Sequence, residues 1–199
     1  MNLYATSVHV PFGPFVNDAH PNDLYKTIIN GRVMRHYVDV PITDLNPQLV
    51  EWFAQRGLEV FISELFSKLP NPIRLANRIH SGAGGAEDAT KINWVWGGAG
   101  SVMTWYQKKL PPTAAATGFN SVGSKIVYYT DLEKENAEPI HRHELKYSPA
   151  TLIQIGCPHA VENPHEERWA LTTVYRDSVT KGILTYKDMY DRLIDVIHD

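Results

Sequence analysis

The chain has 199 residues, of which 43% are hydrophobic and 21% charged. This composition is typical of a soluble globular domain and argues against a disordered chain. Nineteen basic and 22 acidic residues give a net charge of −3, which argues against nucleic-acid binding through bulk charge. No run of 18 apolar residues occurs, so we expect no membrane-spanning helix and no membrane partner. No signal peptide is visible, and the only cysteine, Cys157, cannot form an internal disulfide. We therefore expect a reducing, cytoplasmic location.

The first clear element is a helix. Asn46 is a typical N-cap, Pro47 suits the first helical position, and Gly57 is a typical stop signal. A strand near 33–40 precedes it. After it, short β-branched or aromatic runs between turn signals predict an all-β sandwich or barrel. These strand candidates lie at 58–67, 73–80, 90–96, 101–107, 125–131, 139–147, 151–156 and 168–176.

Two further segments complete the outline. The small, polar, proline-started stretch 111–124 predicts a long loop. At the C-terminus, Met189, Leu193 and Ile197 recur every four residues and predict an amphipathic helix over 186–198. We expect one domain over 1–199, with a β core at about 58–176, an N-terminal helix and strand elaboration, and helices on the outside of the sheets.

Histidines offer the strongest chemical signal. There is no HExxH motif and no G-x-S-x-G elbow, and the glycine-rich segment 118–125 has its Ser and Lys in the wrong order for a phosphate loop. Among nine histidines, His80 ends an alternating strand, and His159 follows the apolar run 151–156. A second pair, His141 and His143, has the H-x-H spacing that points both rings to one face of a strand. Both pairs are candidate metal ligands, because imidazole is a common metal ligand.

The segment 154–172, QIGCPHAVENPHEERWALT, resembles the end of the core of iron/2-oxoglutarate oxygenases. One branch of this superfamily is aspartyl/asparaginyl β-hydroxylase-like. The part of these enzymes that carries the proximal histidine is similar to the segment ANRIHSGAGGAEDATKINWVWGGAGSVMTWY, and so are small phage-encoded oxygenases. The resemblance covers about residues 60–175. It implies a mainly β, double-stranded β-helix fold (jelly-roll or cupin-like) with flanking helices, and a host-cytoplasm location if phage-encoded.

The resemblance also implies a site. His80 and His159 would be the metal ligands for Fe(II), and Arg168 would pair with the far carboxylate of the cosubstrate 2-oxoglutarate. Lys91, Asn93 and Tyr106 would lie near this cosubstrate. The period-two spacing of Lys91 and Asn93 predicts that both point inward from one face of their strand. Together these residues imply a hydroxylase that couples 2-oxoglutarate decarboxylation to oxidation of a C–H bond in a primary substrate, either a protein side chain or a small molecule.

Position 82 departs from the usual pattern. Most of these oxygenases carry His-x-Asp, but here Gly82 stands where the acid would be. Water or chloride could fill the position, Glu87 or Asp88 could supply the carboxylate, or the site could be inactive. The last option gives the first alternative, a catalytically degraded module that acts in binding or virion assembly. The second alternative is a cupin-type metalloenzyme that uses His141 and His143 beside His159.

Overall fold

The computed structural model describes residues 4–25, 27–29, 32–34, 38–68, 79–82, 88–108, 115–119, 125–129, 137–162 and 166–197. The strands are β1 Ala5–Val8, β2 Thr27–Ile29, β3 Arg32–Met34, β4 Val38–Asp39, β5 Leu58–Lys68, β6 His80–Ser81, β7 Thr90–Gly97, β8 Val102–Lys108, β9 Ala115–Phe119, β10 Lys125–Tyr129, β11 Ala137–Glu144, β12 Ala150–Gln154, β13 His159–Glu162 and β14 Arg168–Asp177. The α-helices are α1 Pro21–Tyr25, α2 Pro47–Ala54 and α3 Tyr186–Arg192. Among the described residues, no helix is long and apolar enough to cross a bilayer.

Twelve of the strands form two antiparallel sheets. Sheet I has the order β1-β12-β7-β14-β5-β4, and sheet II has the order β11-β8-β13-β6-β10-β9. Strands β2 and β3 form a separate two-stranded hairpin. The prediction of a mainly β protein with two packed sheets is confirmed.

The two faces of sheet I have different partners. On the outer face, Trp94 and Leu171 pack in one apolar cluster with Phe53 of α2 and Met189 of α3. The inner face turns toward sheet II, and there residues of both sheets form a second cluster. It includes Val95, Ile153 and Ala170 from sheet I with Met103 and Trp105 from sheet II. The molecule is therefore a β-sandwich whose outer face on sheet I is covered by helices.

Both predicted helices are confirmed. The Asn46 side chain accepts a hydrogen bond of 3.0 Å from the backbone N–H of Gln48, as an N-cap does. At the C-terminus, Thr185 and Asp188 form a reciprocal capping box at the start of α3. This helix is shorter than predicted, since Leu193 ends it and the last turn, Ile194–Val196, is a 3-10 helix.

Some of the strands differ from the prediction. The prediction of a loop over 111–124 is wrong for Ala115–Phe119, which is β9 and pairs along its length with β10; the rest of that segment lies outside the described residues. Strands β1, β2 and β13 were not predicted. Of the predicted strand 73–80, only the last two residues lie within the described part of the chain, and His80 there begins β6. The predicted strand 33–40 is represented by β3 and β4, with residues 35–37 outside the described part.

Candidate metal and ligand site

His80 and His159 are direct neighbours in sheet II. Strands β6 and β13 are antiparallel, and these two residues are register partners across the ladder. Partners on adjacent strands project to the same face. The centroids of the two imidazole rings lie 4.5 Å apart, with 57° between the ring planes. The structure therefore brings together the two histidines that the sequence singled out from separate segments.

The environment of His159 fixes its protonation and its tautomer. The residue is only 5% exposed, and its Nδ1 lies 2.8 Å from the backbone carbonyl oxygen of Cys157. A carbonyl only accepts, so Nδ1 carries the proton and Nε2 keeps its lone pair. Burial lowers the pKa of His159 well below its usual value, and the neighbouring His80 lowers it further. A neutral imidazole with one nitrogen held by a backbone carbonyl is the usual form of a metal ligand.

Trp105 separates this pair from the second pair of histidines. On strand β8, Trp105 is the register partner of both His159 and His141, which flank it on either side. The Trp105 ring centroid lies 6.5 Å from that of His159 and 5.5 Å from that of His141. His143 is two residues further along β11. The two pairs share the inner face of sheet II, but His141 and His143 are not immediate neighbours of His159.

Trp105 itself is held firmly. It is fully buried, and its indole N–H donates a 2.7 Å hydrogen bond to the backbone carbonyl of Gln154 in sheet I. This bond crosses the sandwich, so His141 and His159, the register partners of Trp105, lie opposite the end of β12. The bond also lies close to Lys91, because the register partner of Gln154 on β7 is Thr90, the residue before Lys91.

Lys91 and Asn93 lie on the inner face of sheet I, as their period-two spacing predicted. The same face of β7 carries Val95, which packs between the sheets. The ammonium of Lys91 lies 2.9 Å from a carboxylate oxygen of Glu64, a residue that is 1% exposed. The charge of Lys91 also contributes to the lowered pKa of His159, after burial and His80. Lys91 therefore lies within electrostatic range of both Glu64 and the buried imidazole.

A row of polar residues crosses the whole inner face of sheet I. Each is the register partner of the next, from one edge strand to the other: Ser7, Thr151, Asn93, Thr172, Glu64 and Asp39. Asn93 is 6% and Thr172 3% exposed, and Asn93 Oδ1 and Thr172 Oγ1 have no hydrogen-bond partner within the described part of the chain. Buried polar atoms without protein partners are rare, and they commonly bind water or a ligand.

Arg168 is the first residue of β14 and lies on the same inner face as Ala170 and Thr172. It is 3% exposed, and its guanidinium carbon lies 5.8 Å from the centroid of the Phe66 ring. The register partner of Arg168 on β7 is Gly97, six residues beyond Lys91. At about 3.3 Å per residue, the Cα atoms of Lys91 and Arg168 are separated by roughly 20 Å along the sheet. The two cations mark opposite ends of the inner face, with Asn93 and Thr172 between them.

Two predicted site residues do not join this face, and a third lies outside the described residues. Tyr106 follows Trp105 on β8, so it points to the opposite face of sheet II, where it packs with Ile79 and Ala160. The prediction that Tyr106 lies near the cosubstrate is therefore corrected, because Tyr106 does not face the space between the sheets. Asp88 lies in an exposed turn before β7, and Glu87 lies outside the described residues.

Within the part of the chain that the structure describes, no third metal ligand accompanies the two histidines. Among the described residues, no group of three or more His, Cys, Asp or Glu side chains could hold a metal ion. A Cβ added at Gly82 would lie 2.9 Å from Cδ1 of Ile155, the mobile end of a side chain in the cluster between the sheets. The backbone at position 82 thus directs any side chain into the interior of the sandwich.

Two residues of the inner face were not predicted. Thr172 and Glu64 both belong to the polar row, and Glu64 binds Lys91. Their signal in the sequence is the period-two spacing: Thr172 shares a strand face with Arg168, which was recognised. Cys157 is half-buried, and its thiol lies 3.3 Å from Oε1 of Gln154.

No protein-family model matches the chain, and no curated protein matches it.

Proposed function

We propose that this protein is an Fe(II)- and 2-oxoglutarate-dependent oxygenase. The observation that carries the proposal is the pairing of His80 with His159, with ring centroids 4.5 Å apart, on the inner face of a β-sandwich. Imidazole nitrogens suit ferrous iron. Across the sandwich, sheet I offers the Lys91 ammonium and the buried polar atoms of Asn93 and Thr172, which have no hydrogen-bond partner among the described residues.

The strand order supports the same proposal. Eight strands, four in each sheet, determine this order: β12-β7-β14-β5 are neighbours in sheet I, and β11-β8-β13-β6 are neighbours in sheet II. Along the chain, β5, β7, β12 and β14 alternate between sheets with β6, β8, β11 and β13, apart from the step from β8 to β11. We propose that these eight strands form a double-stranded β-helix, the fold implied by the sequence resemblance.

The residues present fit a metal ion with two protein ligands. His159 is neutral and offers Nε2, and the Cys157 carbonyl holds its ring through Nδ1. Trp105 packs beside the same ring and is itself fixed by Gln154. Because Gly82 supplies no carboxylate, the ion would rely on the cosubstrate or water for its other ligands. We therefore expect weak metal affinity that the cosubstrate increases.

The polar and charged residues on the inner face of sheet I would bind the ligand. When bound, iron and 2-oxoglutarate would supply the oxidation of a substrate C–H bond by O2, with release of succinate and CO2. Asn93 and Thr172 offer hydrogen bonds to a polar ligand between the sheets. Lys91 and Arg168 offer positive charge at the two ends of this surface, and the planar guanidinium of Arg168 is suited to a carboxylate. A cytoplasmic location also stays a proposal, motivated by the single cysteine.

An anaerobic titration tests the proposal. Fe(II) is added with and without 2-oxoglutarate, and the weak visible charge-transfer band of the chelated ion is recorded. We expect a band that needs both components and disappears in His80→Ala and His159→Ala. His143→Ala is the matched control, since it removes a half-buried imidazole from the same face and should retain the band. No band with the folded wild-type protein would refute the proposal.

A second candidate is a binding module that has lost catalysis. The observation in its favour is Gly82 in place of an acid, together with the lack of a third protein ligand in the described part of the chain. This candidate predicts that neither iron nor 2-oxoglutarate binds, so the same titration separates the two functions. The cupin-type alternative predicts instead that His143→Ala abolishes metal binding.

A further inference from the structure

The ion pair between Glu64 and Lys91 is unusual for its position. Both side chains project between the sheets, and Glu64 is 1% exposed. Removing a carboxylate from water is costly, and a buried ion pair rarely adds stability over apolar residues of similar size. Lys91 is the less buried partner, with a side chain 18% exposed. A buried charge pair beside a candidate ligand site is therefore a candidate for a role in binding.

The surroundings of Glu64 connect it with the ligand surface. Thr172 is its register partner, and Asn93 is the register partner of Thr172. The side chains of Asn93 and Thr172 have polar atoms without partners in the described part of the chain. The Lys91 ammonium lies 2.9 Å from Glu64. Lys91 and Asn93 are two residues apart on the inner face of β7, and the hydrogen bond from Trp105 to Gln154 joins this end of sheet I to the strand beside His159. A carboxylate bound between the histidines and Asn93 would thus be near the same ammonium that Glu64 holds.

We propose that the distal carboxylate of the ligand lies at Lys91 and not at Arg168, whose Cα is roughly 20 Å along the sheet from that of Lys91. Glu64 competes with this carboxylate for Lys91 and thereby sets the affinity of the site for dicarboxylates. This inference rests on the proposed function, because it assumes that the ligand is a 2-oxo acid bound beside His80 and His159. Glu64 is a specificity residue in this account. It neutralises Lys91 when no ligand is bound, and it repels a second negative charge on the ligand.

The expected effect follows from electrostatics. In Glu64→Gln, the amide keeps the size of the side chain but removes its charge, so Lys91 is left without a buried counter-ion. A dicarboxylate then supplies that counter-ion and no longer meets repulsion from Glu64. Two charges about 10 Å apart at the effective dielectric constant of a protein interact strongly enough to change an affinity on the order of tenfold.

The test compares two ligands that differ by one charge. Calorimetry with Mn(II), which replaces iron without redox chemistry, measures the Kd of 2-oxoglutarate and of 2-oxopentanoate, which has the same chain length but no distal carboxylate. We expect Glu64→Gln to tighten 2-oxoglutarate on the order of tenfold and to leave 2-oxopentanoate within about twofold. Equal affinities of wild type and variant for 2-oxoglutarate would overturn the inference but leave the proposed function intact. Failure of both proteins to bind either ligand would overturn both.

A second variant covers loss of folding. If Glu64→Gln does not fold because Lys91 is buried alone, the double variant Glu64→Gln/Lys91→Met removes both charges. It is expected to bind 2-oxopentanoate as the wild type does and 2-oxoglutarate several-fold more weakly, because the shared ammonium is gone. Unchanged 2-oxoglutarate affinity in the double variant would overturn the inference.

Discussion

The protonation of His159 gives a prediction about stability. Burial, and then the neighbouring His80, lowers the pKa of His159 well below its usual value in the folded protein. In the unfolded chain the pKa is about 6.5. Below that pH the unfolded chain binds a proton that the folded protein does not, so the free energy of unfolding falls as the pH falls. Each pH unit costs up to about 1.4 kcal/mol for as long as the folded imidazole stays neutral.

The variant His159→Gln isolates this contribution. Glutamine does not titrate, and its amide can still donate to the Cys157 carbonyl. His141 and His143 also have lowered pKa values, because of burial, and they contribute to the slope of both proteins alike. The stability difference between wild type and variant should therefore shrink by up to about 1.4 kcal/mol per pH unit below 6.5.

The measurement is urea unfolding between pH 7 and pH 5, followed by tryptophan fluorescence in the presence of a chelator. The linear dependence of the free energy on urea gives the stability at each pH. A constant difference between the two proteins across this range would refute the assignment of a buried, neutral His159.

Three further predictions concern single positions. Gly97→Ala should destabilise the fold by about 1–3 kcal/mol, because Gly97 has a φ of +63° and a Cβ there would lie 2.3 Å from a backbone oxygen. Gly182→Ala is its control in thermal unfolding, because a Cβ there would meet only Thr180 Oγ1 at 3.5 Å, an ordinary contact, and Gly182 has no positive φ. Trp105→Phe should cost about 1–3 kcal/mol in urea unfolding, because the fully buried indole of Trp105 loses its hydrogen bond to the partly buried Gln154 carbonyl; a stability within 0.5 kcal/mol of wild type, roughly the scatter of surface substitutions, would contradict this. Gly82→Asp should tighten Mn(II) at least about tenfold in calorimetry by adding a carboxylate ligand, and unchanged affinity would show that position 82 does not face the metal.

Local patterns predicted the parts of the site that depend on one strand at a time. Period-two alternation correctly placed Lys91 and Asn93 on one face of β7. The same rule, applied to β8, should have separated Tyr106 from the site. Trp105 takes the inner face there, so its neighbour must point outward. That error came from the family resemblance and not from the residues.

Other parts depend on register between distant strands. The contact of Lys91 with Glu64 requires β14 to lie between β7 and β5, and no local pattern specifies this order. Strand β9 was missed because Ala and Gly are poor strand formers, and its pairing with β10 decides its conformation. Strand β13 has only four residues after Pro158, which is too short for a clear alternating pattern.

The central claim is that His80 and His159 together bind a metal ion. The most direct measurement is a crystal structure of the protein grown anaerobically with Fe(II) and 2-oxoglutarate, with anomalous data collected at the iron edge. The account predicts one strong anomalous peak at coordination distance, roughly 2 Å, from Nε2 of His159 and from a ring nitrogen of His80. A peak at His141 and His143 instead, or no peak between the two sheets with the ligand present, would contradict it.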